Sequence, residues 1–152
     1  MASYAKTPTI YQMEATECGA ASLSMIFAYF GKHLPLEQMR IETGVSRDGC
    51  NAGNLMRCAK KYGLDCHGYR KEPAALRELT PPCIIHWNQE HFVVLYKIEK
   101  KKGKTWFYIA DPAYGLLKYE EQELKKCWIS TTQGGIEKGI AMLLDVTPQF
   151  YE

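Results

Sequence analysis

The run from Cys18 to Phe30, Cys-Gly-Ala-Ala-Ser-Leu-Ser-Met-Ile-Phe-Ala-Tyr-Phe, is small or apolar on nearly every side. A helix without a polar face must be enclosed by the rest of the chain, so this run predicts a central helix around which everything else packs. Gly31 is the expected stop, in a left-handed cap. At 152 residues the chain is long enough to enclose such a helix in one domain without staples. Residues 1–152 therefore read as a single domain, with residues 1–8 and 148–152 expected as flexible ends.

The segments that follow the central helix come in two kinds. Pro35 starts a short helix over Leu36, Met39 and Ile41, closed by Gly44. Asn51 to Tyr62 predicts a third helix, with Leu55, Met56, Ala59 and Tyr62 on one face and Gly63 as its end. Leu64 to Tyr69 fits a short strand, and Pro73 to Leu79 a brief helix. After Pro81-Pro82 the period changes to β-rich runs: 83–87, His91 to Glu99, Thr105 to Ala110, Leu116 to Tyr119 and Gly139 to Val146. A helix from Glu120 to Cys127 interrupts them. Helices first and an antiparallel sheet afterwards define an α+β fold.

Composition excludes several functions. The chain is 46% apolar and 24% charged with a net charge of +2, which gives no pull toward nucleic acid. No stretch approaches a membrane span and no signal-peptide core opens the chain, so a reducing cytoplasmic setting is expected. There the cysteines at 18, 50, 58, 66, 83 and 127 are not expected to form disulfides. Zinc fits poorly: Cys50, Cys58 and Cys66 are spaced by eight, His67 follows, and no C-x-x-C pair occurs. Gly103-Lys104-Thr105 matches the tail of a phosphate loop, but Ile98 stands where that loop needs glycine.

Chemistry is suggested by four residues. A thiol at the N-terminus of the central helix, Cys18, meets unpaired N–H groups and the positive end of the helix dipole, which favour thiolate. Gln12, six residues earlier, carries an amide able to donate to an oxyanion beside the Cys18 N–H. Thr16 or Glu17 is expected to cap the helix. A base comes from the hairpin around Lys100-Lys101-Lys102-Gly103-Lys104. With residue 101 as the midpoint, partners sum to 202, which sets His91 opposite Asp111 and pairs Val93 with Ile109 and Leu95 with Phe107. His91 can then take the Cys18 proton while Asp111 fixes the imidazole. His86 reads as a strand residue near this site, and the other five cysteines as structural.

Three motifs in this order, Gln12-x5-Cys18-Gly19, His86-Trp87-Asn88-x2-His91-Phe92-Val93-Val94 and Asp111-Pro112-Ala113-Tyr114-Gly115, resemble the C39 cysteine peptidases. The resemblance covers nearly the whole chain. It implies a papain-like fold, with an N-terminal helical half, a C-terminal antiparallel sheet half and the active site in the cleft between them. It also implies Cys18 as nucleophile, His91 as base, Asp111 as its orienter and Gln12 as oxyanion donor. The implied substrate is a bacteriocin or lanthipeptide precursor whose helical leader ends in Gly-Gly or Gly-Ala, cut after that pair. The implied setting is either the cytoplasmic face of the bacterial plasma membrane, joined to the transmembrane and ATPase domains of an ABC transporter, or the cytoplasm as a free-standing relative. No cofactor is implied for the peptidase itself; ATP and Mg belong to the nucleotide-binding domain of such a transporter. A papain-like acyltransferase and a non-catalytic leader-docking module are the alternative readings.

Overall fold

The computed structural model describes residues 2–4, 18–44, 51–87 and 91–151. Its helices are α1 (Cys18–Tyr29), α2 (Leu36–Glu42), α3 (Ala52–Lys61) and α4 (Glu121–Trp128). Its strands are β1 (Ala2–Tyr4), β2 (Leu64–Lys71), β3 (Cys83–Trp87), β4 (His91–Lys101), β5 (Lys104–Asp111), β6 (Gly115–Glu120), β7 (Ile129–Gln133) and β8 (Ile136–Val146). The strands form one antiparallel sheet in the order β2-β8-β3-β4-β5-β6. β7 extends it beside β8, and β1 pairs with the part of β4 beyond the reach of β3.

The apolar run does become the centre of the fold: every residue from Cys18 to Ala28 is buried. Leu23, Ile26 and Phe27 of α1 pack with Leu55 and Ala59 of α3, Met142 and Leu144 of β8, and Phe150. The helix ends at Gly31, where Lys32 N–H donates to the Phe27 carbonyl at 2.8 Å. A second cluster lies on the other sheet face, where Ile85, Val93, Leu95, Phe107 and Ile109 meet Leu124 and Trp128 of α4. The sheet is thus covered by α1 and α3 on one face and by α4 on the other.

Two short helices show where local pattern succeeds and fails. Asn51 caps α3, its side chain accepting from Asn54 N–H at 2.8 Å, and Leu55, Cys58 and Ala59 form the buried face. The expected helix over Leu36, Met39 and Ile41 forms as α2, in which Met39 alone is buried and Ile41 is 76% exposed. Each residue turns a helix by about 100°, so positions two apart lie on opposite sides and cannot share one face.

The hairpin joining β4 to β5 differs in register from the expected one. Its turn is Lys102-Gly103, both at positive φ (53° and 78°), closed by the pair Lys101↔Lys104. Partners therefore sum to 205 from Lys101 to Lys97, not 202. A bulge at Tyr96 then changes the sum to 204, as in Leu95↔Ile109 and Val94↔Ala110. An odd sum would place His91 and Asp111 on opposite faces of the sheet, and an even sum returns them to the same face. The bulge thus restores the parity that a simple hairpin of this turn would lose. A sum of 204 sets Asp111 level with Val93, so His91 is its diagonal neighbour rather than its direct partner.

β7, absent from the sequence expectation, pairs with β8 across Gly134-Gly135. Its Ser130-Thr131-Thr132 segment has no apolar alternation to announce it. The chain ends, expected as loose, are engaged where they are described. Ala2–Tyr4 pair with β4 as Ala2↔Glu99, Ser3↔Ile98 and Tyr4↔Lys97. Pro148–Tyr151 form a helical turn whose Phe150 is fully buried against Phe27.

Gly63 holds that terminal turn. It sits at φ 91°, its carbonyl accepts from Thr147 Oγ1 at 2.6 Å, and a Cβ there would strike the Phe150 backbone. Gly63→Ala combines backbone strain with a collision that no flexible side chain can absorb. We expect a loss of about 1–3 kcal/mol in a urea or thermal unfolding curve.

Candidate active site

Cys18 is the first residue of α1, and its position is set by Phe92 of β4. The pairing of β5 with β4 reaches only Val94↔Ala110, and beyond it the backbone groups of Phe92 bond to α1. Phe92 N–H donates to Cys18 Sγ at 3.4 Å, and Ser22 Oγ donates to the Phe92 carbonyl at 3.1 Å. Cys18 and Ser22 are four apart and so share a helix face. One residue of the sheet therefore grips the first turn of the buried helix at two points. Sequence reasoning missed Ser22, although a hydroxyl inside an otherwise apolar run needs a partner and was a visible signal.

Next to Phe92, at the start of β4, stands His91. Its Nε2 donates to Asp111 Oδ1 at 2.7 Å, and the Cys18 side chain is near enough to help raise its pKa. The imidazole is thus held by the carboxylate beside the thiol. Asp111, at the end of β5, has a side chain only 2% exposed and accepts at Oδ1 from Ala113 N–H at 2.8 Å as well. Burial alone would raise its pKa, but the bonds from His91 and Ala113 outweigh it and hold the carboxyl below its ordinary value. Burial would likewise lower His91; the bonds to Asp111 and Cys18 overcome it and carry the imidazole up to about 9. At neutral pH His91 is therefore an imidazolium, held between two acceptors.

His86 lies in β3 directly across from Phe92, its ring 5.1 Å from the phenyl ring. Burial, and then the charge on His91, lower its pKa, so it stays neutral beside the charged imidazole. The sequence reading that placed it near the site agrees with this position. Burial pushes the Cys66 thiol up to about 11 and the Cys83 thiol up to about 12, so neither supplies thiolate at neutral pH. The structure thus brings together Cys18, His91 and Asp111. Gln12, the capping residues Thr16 and Glu17, and Cys50 lie outside the described residues.

A thiol at the start of a buried helix, beside a histidine and an aspartate at the ends of two neighbouring strands of an antiparallel sheet, defines a papain-like protein. The chain belongs to the Peptidase C39 family, whose model matches residues 6–132. It is 32% identical over 121 residues to the colicin V secretion/processing ATP-binding protein CvaB of Escherichia coli, a match covering 80% of this chain and 17% of CvaB. It is 30% identical over 125 residues to the lactococcin-G-processing and transport ATP-binding protein LagD of Lactococcus lactis, covering 78% and 17%. The chain therefore spans about a sixth of the length of these relatives. Among solved structures it resembles a double glycine motif protease from an AMS/PCAT transporter in complex with its leader peptide, with 46% identity, a TM-score of 0.83 and 95% of each chain covered. The peptidase domain of Streptococcus ComA shares the fold at a TM-score of 0.74 and 19% identity, over 91% of this chain and 97% of that one. Among the described residues no helix is long and apolar enough to cross a membrane.

The pair His91–Asp111 makes stability depend on pH with a definite sign. His91 is raised above its free value of 6.5, so its contribution is complete below 6.5 and is lost as pH rises through about 9. Asp111 is held below its free value of 3.8, so its contribution is complete above 3.8 and is lost as pH falls through the lowered value. Both are in full force between 3.8 and 6.5. We expect the imidazole resonances of His91 to titrate near 9 in the wild type, and Asp111→Asn to move that midpoint toward 6.5. An unmoved midpoint in the variant would remove the carboxylate as the cause.

Proposed function

We propose that this chain is a cysteine endopeptidase that removes leader peptides from ribosomally made precursors, cutting after Gly-Gly or Gly-Ala. The observation that carries the reading is the His91–Asp111 pair at 2.7 Å beside Cys18, whose Sγ accepts from the N–H of the next residue, Phe92, at 3.4 Å. Cys18 Sγ attacks the carbonyl of the residue before the cut, its proton held by His91. The oxyanion forms at the N-terminus of α1 and accepts from the Cys18 N–H, and the family resemblance assigns the second donor to the Gln12 side-chain amide. Collapse breaks the C–N bond, and His91 gives its proton to the departing amine. Water then cleaves the thioester, and the leader leaves with a free carboxylate. No metal or cofactor enters these steps.

The 46% identity to a double glycine motif protease solved with its leader peptide supports a Gly-Gly or Gly-Ala leader as the substrate. Glycine at the cut gives no side-chain binding energy, so affinity comes from the leader helix farther back. The likeness to the processing and transport proteins supports a place beside transmembrane and ATPase domains, on the cytoplasmic face where fresh precursor is available.

Incubating the protein with precursors bearing Gly-Gly or Gly-Ala leaders, followed by mass spectrometry, tests this directly. We expect a single cut after the pair, none with Cys18→Ala, and a rate lowered about 10²–10³-fold by Gln12→Ala. Asp111→Asn is expected to lower kcat far more than it raises KM. Binding of the precursor without any cut by the wild type would make the domain a docking module instead.

A further inference from the structure

Lys100-Lys101-Lys102-Gly103-Lys104 is the densest run of like charge in the chain, and the fold makes it a projection. β1 pairs with β4 no farther than Ala2↔Glu99, and β6 pairs with β5 no farther than Trp106↔Glu120. The rungs Lys100↔Thr105 and Lys101↔Lys104 therefore stand beyond both neighbouring strands, with the turn Lys102-Gly103 beyond them in turn. All four lysines are exposed. Of the four, only Lys104 makes an ion pair among the described residues, with Glu120 at 2.9 Å. Glu99, the acid nearest along the strand, already holds Lys97 at 3.3 Å and the Tyr108 hydroxyl at 3.0 Å.

Two features of this tip work against the fold. Lys101 and Lys104 face each other directly, and like charges on opposite strands repel. Lys102 sits at φ 53°, the one non-glycine residue at positive φ among the described residues, in a two-residue turn whose first position suits asparagine or glycine. Choices that weaken a structure and gain nothing inside it point outward, to a partner. That partner is anionic, and it is broad, because a blunt tip that projects past its neighbours offers no groove to enclose a small ion. All four cations are lysines, point charges without the planar fork by which arginine grips single phosphates and bases. The chain's net charge of +2 also leaves no wide basic face along which a nucleic acid could lie.

We propose that the tip of the β4–β5 hairpin is a contact for an anionic lipid surface, made through Lys100, Lys101 and Lys102. The proposal rests on the membrane-side setting given above and adds the part of the domain that meets the headgroups. An anionic leaflet attracts lysines that come within a Debye length of it. His91 stands at the other end of the 11-residue β4, about 33 Å from Lys101 along the strand. A domain resting on its tip therefore keeps His91 and its neighbours clear of the headgroups.

Co-sedimentation of the whole protein with vesicles tests this. No precursor and no cut enter the measurement, so a failure here leaves the peptidase reading standing, and the reverse. We expect binding to vesicles of two parts phosphatidylcholine to one part phosphatidylglycerol and none to phosphatidylcholine alone. Binding should be lost at about 1 M salt, where the Debye length is about 3 Å. Each lysine near such a surface strengthens binding about fivefold, so Lys100→Gln, Lys101→Gln and Lys102→Asn together should weaken it about 10²-fold. Lys102→Asn alone should weaken binding about fivefold yet raise the thermal midpoint, since asparagine accepts the φ of this turn. A midpoint that falls instead would mean that Lys102 serves the fold, and removes the argument. Equal sedimentation with both kinds of vesicle overturns the proposal, as does a triple variant that binds like the wild type. Tighter binding to a duplex oligonucleotide than to the anionic vesicles overturns it too, and makes the partner a nucleic acid.

Discussion

The grip of α1 on Phe92 is the contact on which the site depends. A buried helix and a sheet can slide past one another when only apolar side chains meet, because such contacts have no direction. Two hydrogen bonds to the N–H and carbonyl of one residue remove that freedom, fixing both the height and the rotation of the helix. The neighbour of Phe92 is His91, so the same bonds that dock the helix set the distance between thiol and imidazole. Because Cys18 and Ser22 are buried, water does not compete for these bonds, and an orphaned partner would cost about 1–3 kcal/mol. Fold and chemistry share one joint.

Charge is arranged around that joint in a graded way. Asp111 is buried yet ionised, since bonds from His91 and Ala113 replace the water it loses. His91 is charged because it lies between acceptors, while His86, one strand away and also partly buried, is neutral because it lacks them and feels His91. Similar burial thus yields opposite protonation states in two histidines of neighbouring strands, and hydrogen-bond partners make the difference.

Much of this was legible in the sequence, for reasons that can be named. α1, α3 and β3 were readable because each is governed by local signals: an unbroken apolar run, an Asn cap with a following glycine, and a β-branched cluster after Pro82. The expectation that His91 and Asp111 lie together was met, but through a different register. Its assumed sum of 202 happened to be even, as is the 204 that the bulge produces. Nothing local marks Tyr96 as the bulged residue, because a bulge is settled by what the neighbouring strand needs. β7 and the packing of Phe150 were hidden for the same kind of reason: polar β-branched residues and a short terminal segment acquire their structure from partners far along the chain.

The bulge at Tyr96 also limits how a chain of this design can vary in length. Residues added at the tip beyond Lys101↔Lys104 only lengthen an exposed loop, and the faces of both strands stay as they are. One residue gained or lost between Tyr96 and His91 is different, since it inverts every side chain from that point to the strand's end. Val93 and Leu95 would trade places with Phe92 and Val94, sending two cores to the wrong sides while His91 turned away from Asp111. A length change there cannot break the His91–Asp111 pair and spare the fold, or the reverse. β4 behaves as a counted spacer, and relatives with this site should tolerate insertions at its far end while keeping the count intact near His91.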